Sequence, residues 1–291
     1  MYAITRIVVA TDFSAAAERA VRRAALMTKQ LGAELHLLHV VQPLDLYPGA
    51  QRARQLRYFG QILQEASNSR LATLASALNQ HFAIPVIAAT RIGRVHAQIA
   101  DYAKVNAASL VVAGARGENT FLDLLLGSTV SRLLRAADFP VLIVRNSEVD
   151  IYRRVIAAVD FSDGSAKVPV LARTAAPGAR IELLYIFNQV QEARMREVGL
   201  DDAKLDQYCD QALAEVGEQL DKILAEQGDD QMVGQVLSGY PPAEICTRAA
   251  TVNADLIVLG RFGAGGLEEW LLGGVSKDVA HVANCDVLLG C

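Results

Sequence analysis

The stretch Arg6-Ile7-Val8-Val9-Ala10-Thr11-Asp12-Phe13-Ser14 returns as Arg154-Val155-Ile156-Ala157-Ala158-Val159-Asp160-Phe161-Ser162, at an offset of 148. Each copy is a short, continuous apolar run that ends on an acidic residue and a serine. Such a run suits a strand buried on both faces, and the serine suits a helix cap. Working outward, Gly114, Gly117 and Gly127 recur as Gly260, Gly263 and Gly273, at an offset of 146. Phe139-Pro140-Val141-Leu142-Ile143-Val144 is matched by Cys285-Asp286-Val287-Leu288-Leu289-Gly290 at the same 146. Matched segments in the same order and at nearly constant offset mark two copies of one unit. The period is domain-sized, far beyond a solenoid repeat of roughly 20–50 residues, so each copy should own a core. A polar junction near Arg145 to Tyr152 divides the chain into 1–147 and 148–291.

Strand and helix signals alternate within each copy. In the first, strands are predicted at Ile7–Ala10, Glu34–Val41, Ile84–Ala89, Ser109–Ala113 and Val141–Val144. Between them lie an Ala-rich helix from Ser14 to Leu31, a long helix with Leu71, Leu74, Ala75 and Leu78 on one face, a helix over Gly93–Asn106, and one from about Gly127. The second copy repeats the series, with strands at 155–159, 181–187, 232–237, 256–259 and 287–289. Alternation of this kind predicts a parallel sheet with right-handed crossovers: two tandem doubly wound α/β domains, each with five parallel strands. Ligands of such sheets sit beyond the carboxyl ends of the strands, where Asp12 and Gly114 both fall.

Composition narrows the function. The chain has 291 residues, 52% hydrophobic and 21% charged, which is globular rather than disordered. Its net charge is −4 with no dense basic block, a poor match to a general nucleic-acid binder. No apolar run approaches the roughly 18 residues of a membrane span, and Ile7–Ala10 is too short for a signal-peptide core, so a cytoplasmic location is expected. The four cysteines (209, 246, 285, 291) form no C-x-x-C and no zinc spacing, so buried or incidental thiols are expected.

The glycine loop carries the chemistry. Gly114-Ala115-Arg116-Gly117, nine residues, then Gly127-Ser128-Thr129 joins a buried strand to a helix. Glycines let backbone N–H groups approach an anion, and a helix start adds unpaired N–H groups and a positive dipole end. Ser128 and Thr129 add hydroxyls, and Arg116 is a candidate phosphate partner or a solvated loop residue. The bland alternative is that the glycines only make turns, with Ser128 capping the helix. G-x-x-x-x-G-K-[ST] is absent, and so is G-x-G-x-x-G after a first strand, which excludes a P-loop and argues against a Rossmann dehydrogenase. No nucleophile–base pair, G-x-S-x-G or H-E-x-x-H stands out, so catalysis has no independent support.

Taken together, G-2x-G-9x-G-[ST] after the fourth strand, V-x-x-D-x-S at the first and L-L-H-V in the second resemble the universal stress protein family. The resemblance covers both copies. It implies sheets of strand order 3-2-1-4-5 with helices on both faces, and a cytoplasmic stress-response protein that binds an adenine nucleotide, usually ATP, with Mg2+ as an optional companion. Carried over by position, Asp12 and Val40 would meet the adenine and ribose, and Gly114, Arg116, Gly117, Gly127, Ser128 and Thr129 the phosphates. The second copy offers Asp160, Ile186, Gly260, Gly263, Gly273, Gly274 and Val275. There Gly274 replaces Ser or Thr; losing one hydroxyl contact to a charged acceptor costs roughly 1.5–3 kcal/mol, on the order of tenfold to a hundredfold in affinity. The first copy is therefore expected to bind better. The resemblance also implies antiparallel pairing of Val141–Val144 with Val287–Leu289 within the chain, and makes a homodimer plausible.

Other residues are weighed singly. Asp12 and Asp160 suit either ribose binding or a helix cap with Ser14 or Ser162. His39, in an apolar strand, reads as a satisfied core histidine, and His96 as a surface residue beside the crevice. Arg52, Arg54 and Arg57, beside Tyr47-Pro48-Gly49, read first as a solvated helix face and second as a lid. Trp270 lies in the second glycine loop. Two rivals stay open. One is a nucleotide-independent interaction or small-ligand module, for example for a lipid-like metabolite. The other is an adenylyl-transferring enzyme, which would need the S-G-G-x-D-S or H-x-G-H signature that this chain lacks.

Overall fold

The computed structural model describes residues 3–42, 50–115, 126–146, 150–188, 202–262 and 273–290. Within 50–61 and 202–206 it describes the backbone alone. Two compact units divide between Ile151 and Tyr152.

In the first unit, strands β1 (Arg6–Thr11), β2 (Glu34–Val41), β3 (Val86–Ile92), β4 (Leu110–Gly114) and β5 (Val141–Val144) alternate with helices α1 (Ala15–Leu31), α2 (Ala50–Phe82), α3 (Val95–Val105) and α4 (Ser128–Ala136). The strands are ordered β3-β2-β1-β4-β5 and every pairing is parallel. Strand order reverses between β1 and β4, so the crevice of a doubly wound sheet opens beyond Thr11 and Gly114. Apolar runs fill the centre: Ile7, Val8, Val9, Leu35, Leu37, Leu38, Leu110, Val111 and Val112 are all buried. Both faces are covered. His36 of β2 meets Tyr102 of α3, while His39, three residues on and facing the other way, meets Phe13 beside Arg70 of α2.

Helix α1 starts as its sequence dictates. Ser14 is extended (φ −73°, ψ 163°) and its hydroxyl accepts from the Ala17 N–H. Buried Ala17, Ala20, Val21, Ala24, Ala25 and Thr28 give α1 a narrow face that packs closely on β1 and β4. The helix stops at Gly32, left-handed at φ 63°.

The second unit repeats the plan. Strands β6 (Arg154–Ala158), β7 (Arg180–Asn188), β8 (Met232–Gly239), β9 (Leu256–Gly260) and β10 (Asp286–Gly290) are ordered β8-β7-β6-β9-β10, again parallel. Its helices are α5 (Val168–Ala175), α6 (Asp202–Gln227), α7 (Pro241–Thr251) and α8 (Gly274–Val282).

Two departures have local causes. Strand β3 begins at Val86, after Pro85, rather than at Ile84; left-handed Ala83 follows the end of α2, and proline has no N–H for the ladder. The strand then runs on through the polar Thr90 and Arg91, because β2 pairs with it as far as Val41–Ile92. In the second unit Ser162 caps no helix. Residues 163–167 form turns, and α5 starts only at Val168, with eight residues against the seventeen of α1. No helix among the described residues is long and apolar enough to cross a membrane.

Candidate functional site

Both Asp12 and Asp160 are exposed at the carboxyl edge of their sheets. Each accepts the N–H of the serine two residues on, Ser14 at 3.0 Å and Ser162 at 3.1 Å. This is the turn-forming role that a short acidic side chain plays at a helix entry. The phenylalanine between them is left-handed in both units, Phe13 at φ 65° and Phe161 at φ 58°. A bulky residue held there costs of order 1–3 kcal/mol and is found where a surrounding site enforces it.

Those phenylalanines face planar groups on the neighbouring strand. Phe13 lies 4.7 Å from the His39 ring, tilted by 40°, with the Arg70 guanidinium 4.0 Å above its face. Phe161 stacks on Tyr185 at 4.9 Å and 15°. Burial, and then the Asp160 charge, push the Tyr185 hydroxyl up from its ordinary value. His39 Nδ1 is 2.8 Å from the Thr11 carbonyl, which can only accept, so this nitrogen carries the proton. His39 is thus satisfied through the backbone, as its sequence context suggests, yet it also borders the crevice. The signal was available: His39 and Tyr185 occupy matching positions at the 146 offset, and both are flat. Val40 and Ile186, the next residues, are buried near the same ends of β2 and β7.

The strand-end glycines have a packing reason. A Cβ on Gly114 would lie 2.8 Å from the Ala16 carbonyl group, and one on Gly260 would lie 2.4 Å from the Gly164 oxygen. Residues 16 and 164 are equivalent, so in both units the backbone after the first strand crosses directly over the glycine. Glycine is required here for that crossing, whatever ligand lies beyond.

Past the loop, the Gly127 N–H donates to the Ala115 carbonyl and the Gly273 N–H to the Arg261 carbonyl, both at 2.9 Å. These bonds close the two loops identically and set the starts of α4 and α8. Gly127 and Gly273 are the N-caps, with nearly equal dihedrals and no side-chain cap. Ser128 is therefore the first helical residue rather than the cap. The opening N–H groups of α4 have no partner within the helix, as at any helix start. Ser128 is exposed and Thr129 half-buried beside them. In α8 the matching residues are Gly274, with open space where a Cβ would stand, and Val275. The second unit does hold a hydroxyl two residues into its helix: buried Ser276 donates to the Gly260 carbonyl at 2.6 Å and is spent on tying α8 to β9. Arg116, Gly117, Gly263 and Trp270 lie outside the described residues, as do Tyr47-Pro48-Gly49 and the side chains of Arg52, Arg54 and Arg57.

Cys285 is buried and its thiol is pushed up to about 12, chiefly by burial, which disfavours the reactive thiolate. Cys209 and Cys246 are partly buried. Among the described residues no three His, Cys, Asp or Glu side chains gather into a metal site.

Two doubly wound parallel sheets in tandem, each with a glycine-spaced sequence after its fourth strand, define the class: a tandem doubly wound α/β protein. Comparison with known proteins specifies the family. The model of the universal stress protein family matches residues 3–145 and again 151–289. The chain belongs to the universal stress protein family. A universal stress protein of Mycolicibacterium smegmatis is 28% identical over 290 residues, covering 97% of this chain and 96% of that protein. One from Mycobacterium tuberculosis is 30% identical over 190 residues, 63% of this chain; that match spans only 62% of the relative's own length. The crystal structure of a universal stress protein from Archaeoglobus fulgidus shares the fold, with a TM-score of 0.69 at 18% identity, over 99% of this chain and 97% of that one.

Proposed function

We propose that the first unit binds an adenine nucleotide, ATP above others, and that the chain serves stress response in the cytoplasm as a regulatory binding protein rather than a catalyst. Asp12 and Val40 face the adenine and ribose. Gly114, Arg116, Gly117, Gly127, Ser128 and Thr129 surround the phosphates. Any Mg2+ arrives bound to phosphate oxygens, and hydrolysis, where it occurs, is incidental. The observation that carries this reading is the start of α4. A glycine cap, no side-chain cap and two hydroxyls beside N–H groups with no partner within the helix suit a polyanion. Titration calorimetry of the full chain with ATP tests it. Saturable binding that weakens about tenfold in Ser128→Ala is expected. Absence of binding at millimolar ATP overturns the reading.

A second reading applies to the second unit. Gly274, Val275 and the spent Ser276 hydroxyl remove the free hydroxyl donors, while the stacked Phe161–Tyr185 pair keeps a flat apolar wall. Asp160, Ile186, Gly260, Gly263, Gly273, Gly274 and Val275 then border a weaker nucleotide site or the site of a less charged ligand. Native mass spectrometry of gently purified protein distinguishes these, since a co-purifying species without phosphate supports the second.

A further inference from the structure

We propose that Arg94, His96 and Arg132 form a cationic rim that takes a polyphosphate group at the mouth of the first unit, and that the second unit has replaced this rim with a hydrogen-bonded Tyr240–Asp278 pair. This rests on, and extends, the nucleotide reading of the first unit. Arg94 is the N-cap of α3 and His96 lies in its first turn. Helix α3 packs against α4, which carries Arg132 in its second turn. Ser128 and Arg132 are four residues apart, so they share one face of α4. Helical side chains lean toward the N-terminus, which carries Arg132 back over the uncapped first turn.

The second unit supplies the internal control. At the 146 offset, Arg94, His96 and Arg132 become Tyr240, Pro242 and Asp278, and Ser128 becomes Gly274. The Tyr240 hydroxyl donates to Asp278 Oδ2 at 3.3 Å, so these two positions meet across the helix pair. Gln98 also becomes Glu244, in the first turn of α7. Two cations enter: Lys277 in place of Ser131, directly beside Asp278, and Arg261, buried just after β9, in place of Ala115. The hydroxyl-to-glycine and arginine-to-aspartate exchanges therefore fall on the same helix face, and both remove affinity for an anion.

Among the described residues, no ion pair involves Arg94 or Arg132, and both are exposed. At the far end of the same two helices, by contrast, Lys104 and Asp138 do approach, at 3.7 Å. His96 is half-buried, and burial, then Arg132, then Arg94, hold its pKa below the ordinary value, as expected where cations crowd one another. Like charges gathered together repel, and a polyanion relieves that repulsion.

The polyphosphate group could belong to a nucleotide or be free. Calorimetric titrations of the full chain with ATP, AMP and inorganic tripolyphosphate separate the two, for wild type, Arg132→Asp and Arg94→Tyr. Both substitutions install the residue the second unit already tolerates. The preference for ATP over AMP should fall about tenfold to a hundredfold in Arg132→Asp. An unchanged preference overturns the rim while leaving the nucleotide reading intact. If wild type binds neither ATP nor AMP, the nucleotide reading fails, and tripolyphosphate decides the rim alone. Binding that is lost in Arg132→Asp upholds it for free polyphosphate, and no binding overturns it. Should Arg132→Asp lose its cooperative melt, Arg132→Gln and the reciprocal Asp278→Arg answer the same question. The reciprocal variant must strengthen tripolyphosphate binding for the rim to stand.

Discussion

Gly114 and Gly274 show how differently two glycines of one motif can work. At Gly114 the Ala16 backbone sits where a Cβ would go, 2.8 Å away. Gly114→Ala is therefore expected to destabilise the chain by about 1–3 kcal/mol, the usual cost of overpacking, read as a lowered midpoint in urea. Gly274 has nothing within 4 Å of a built Cβ. Gly274→Ser should leave that midpoint unchanged or slightly raised, since glycine in a helix costs roughly 0.5–1 kcal/mol relative to alanine, while restoring a hydroxyl at the head of α8. A clear loss of stability in Gly274→Ser would refute the open-space geometry. In the sequence both fall within a phosphate-loop pattern, Gly114 as one of its glycines and Gly274 as the residue that replaces a Ser or Thr. Their spacing marks the segment between the fourth strand and the helix after it, but which of them is a backbone crossing depends on where residue 16 or 164 returns, and periodicity does not carry that information.

At the scale of elements, the two units solve the same contacts with different chemistry. His36 of β2 and Tyr102 of α3 bond at 2.9 Å in the first unit. At the same positions in the second, Glu182 and Arg248 form a two-pronged ion pair, both bonds 2.8 Å. Likewise the Ser109 hydroxyl oxygen accepts the N–H groups of Thr5 and Arg6, where Asp255 accepts those of Arg153 and Arg154. Glu182→Ala should cost about 1–3 kcal/mol, because it strands a guanidinium that lies partly buried. The histidine pair predicts a pH effect. Burial above all holds the His36 pKa below 6.5, with Glu34 pulling the other way and Arg6 adding to the depression. Since the unfolded chain then binds the proton more readily, His36 leaves stability intact above about pH 6.5 and erodes it as pH falls below that value. Thermal melts between pH 7.5 and 5 should show this loss in wild type and less of it in His36→Leu; equal slopes would sink it. Helix α1 was legible down to its cap, so Ser14→Ala should cost about 1 kcal/mol in the same assay. The short α5 was not legible, because the Asp160–Ser162 turn copies the sequence of the first unit while Gly164 and the residues around it delay the helix.

For the whole molecule, duplication was the readable fact: apolar runs at constant offset gave two doubly wound units and the switch point of each. The divergence between the units was only half readable. Gly274 stands out because it breaks a motif, whereas Arg132 and Asp278 belong to no motif, and their neighbours follow only from the packing of α3 on α4 and of α7 on α8. The consequence is a stoichiometry. Two copies of a fold would ordinarily bind two ligands alike. Here the first unit keeps the Ser128 and Thr129 hydroxyls and a basic rim, while the second has Gly274, Val275 and an aspartate held by a tyrosine. Each lost charge-assisted contact is worth roughly 1.5–3 kcal/mol, and two of them separate the affinities by on the order of a hundredfold or more. Native mass spectrometry across a range of ATP concentrations should then show the singly loaded chain saturating well before any doubly loaded species. Combining Gly274→Ser with Asp278→Arg should bring the second occupancy toward the first. Two equal and simultaneous occupancies in wild type would mean that the loop backbone alone sets affinity, and that the exchanges on α8 are neutral drift.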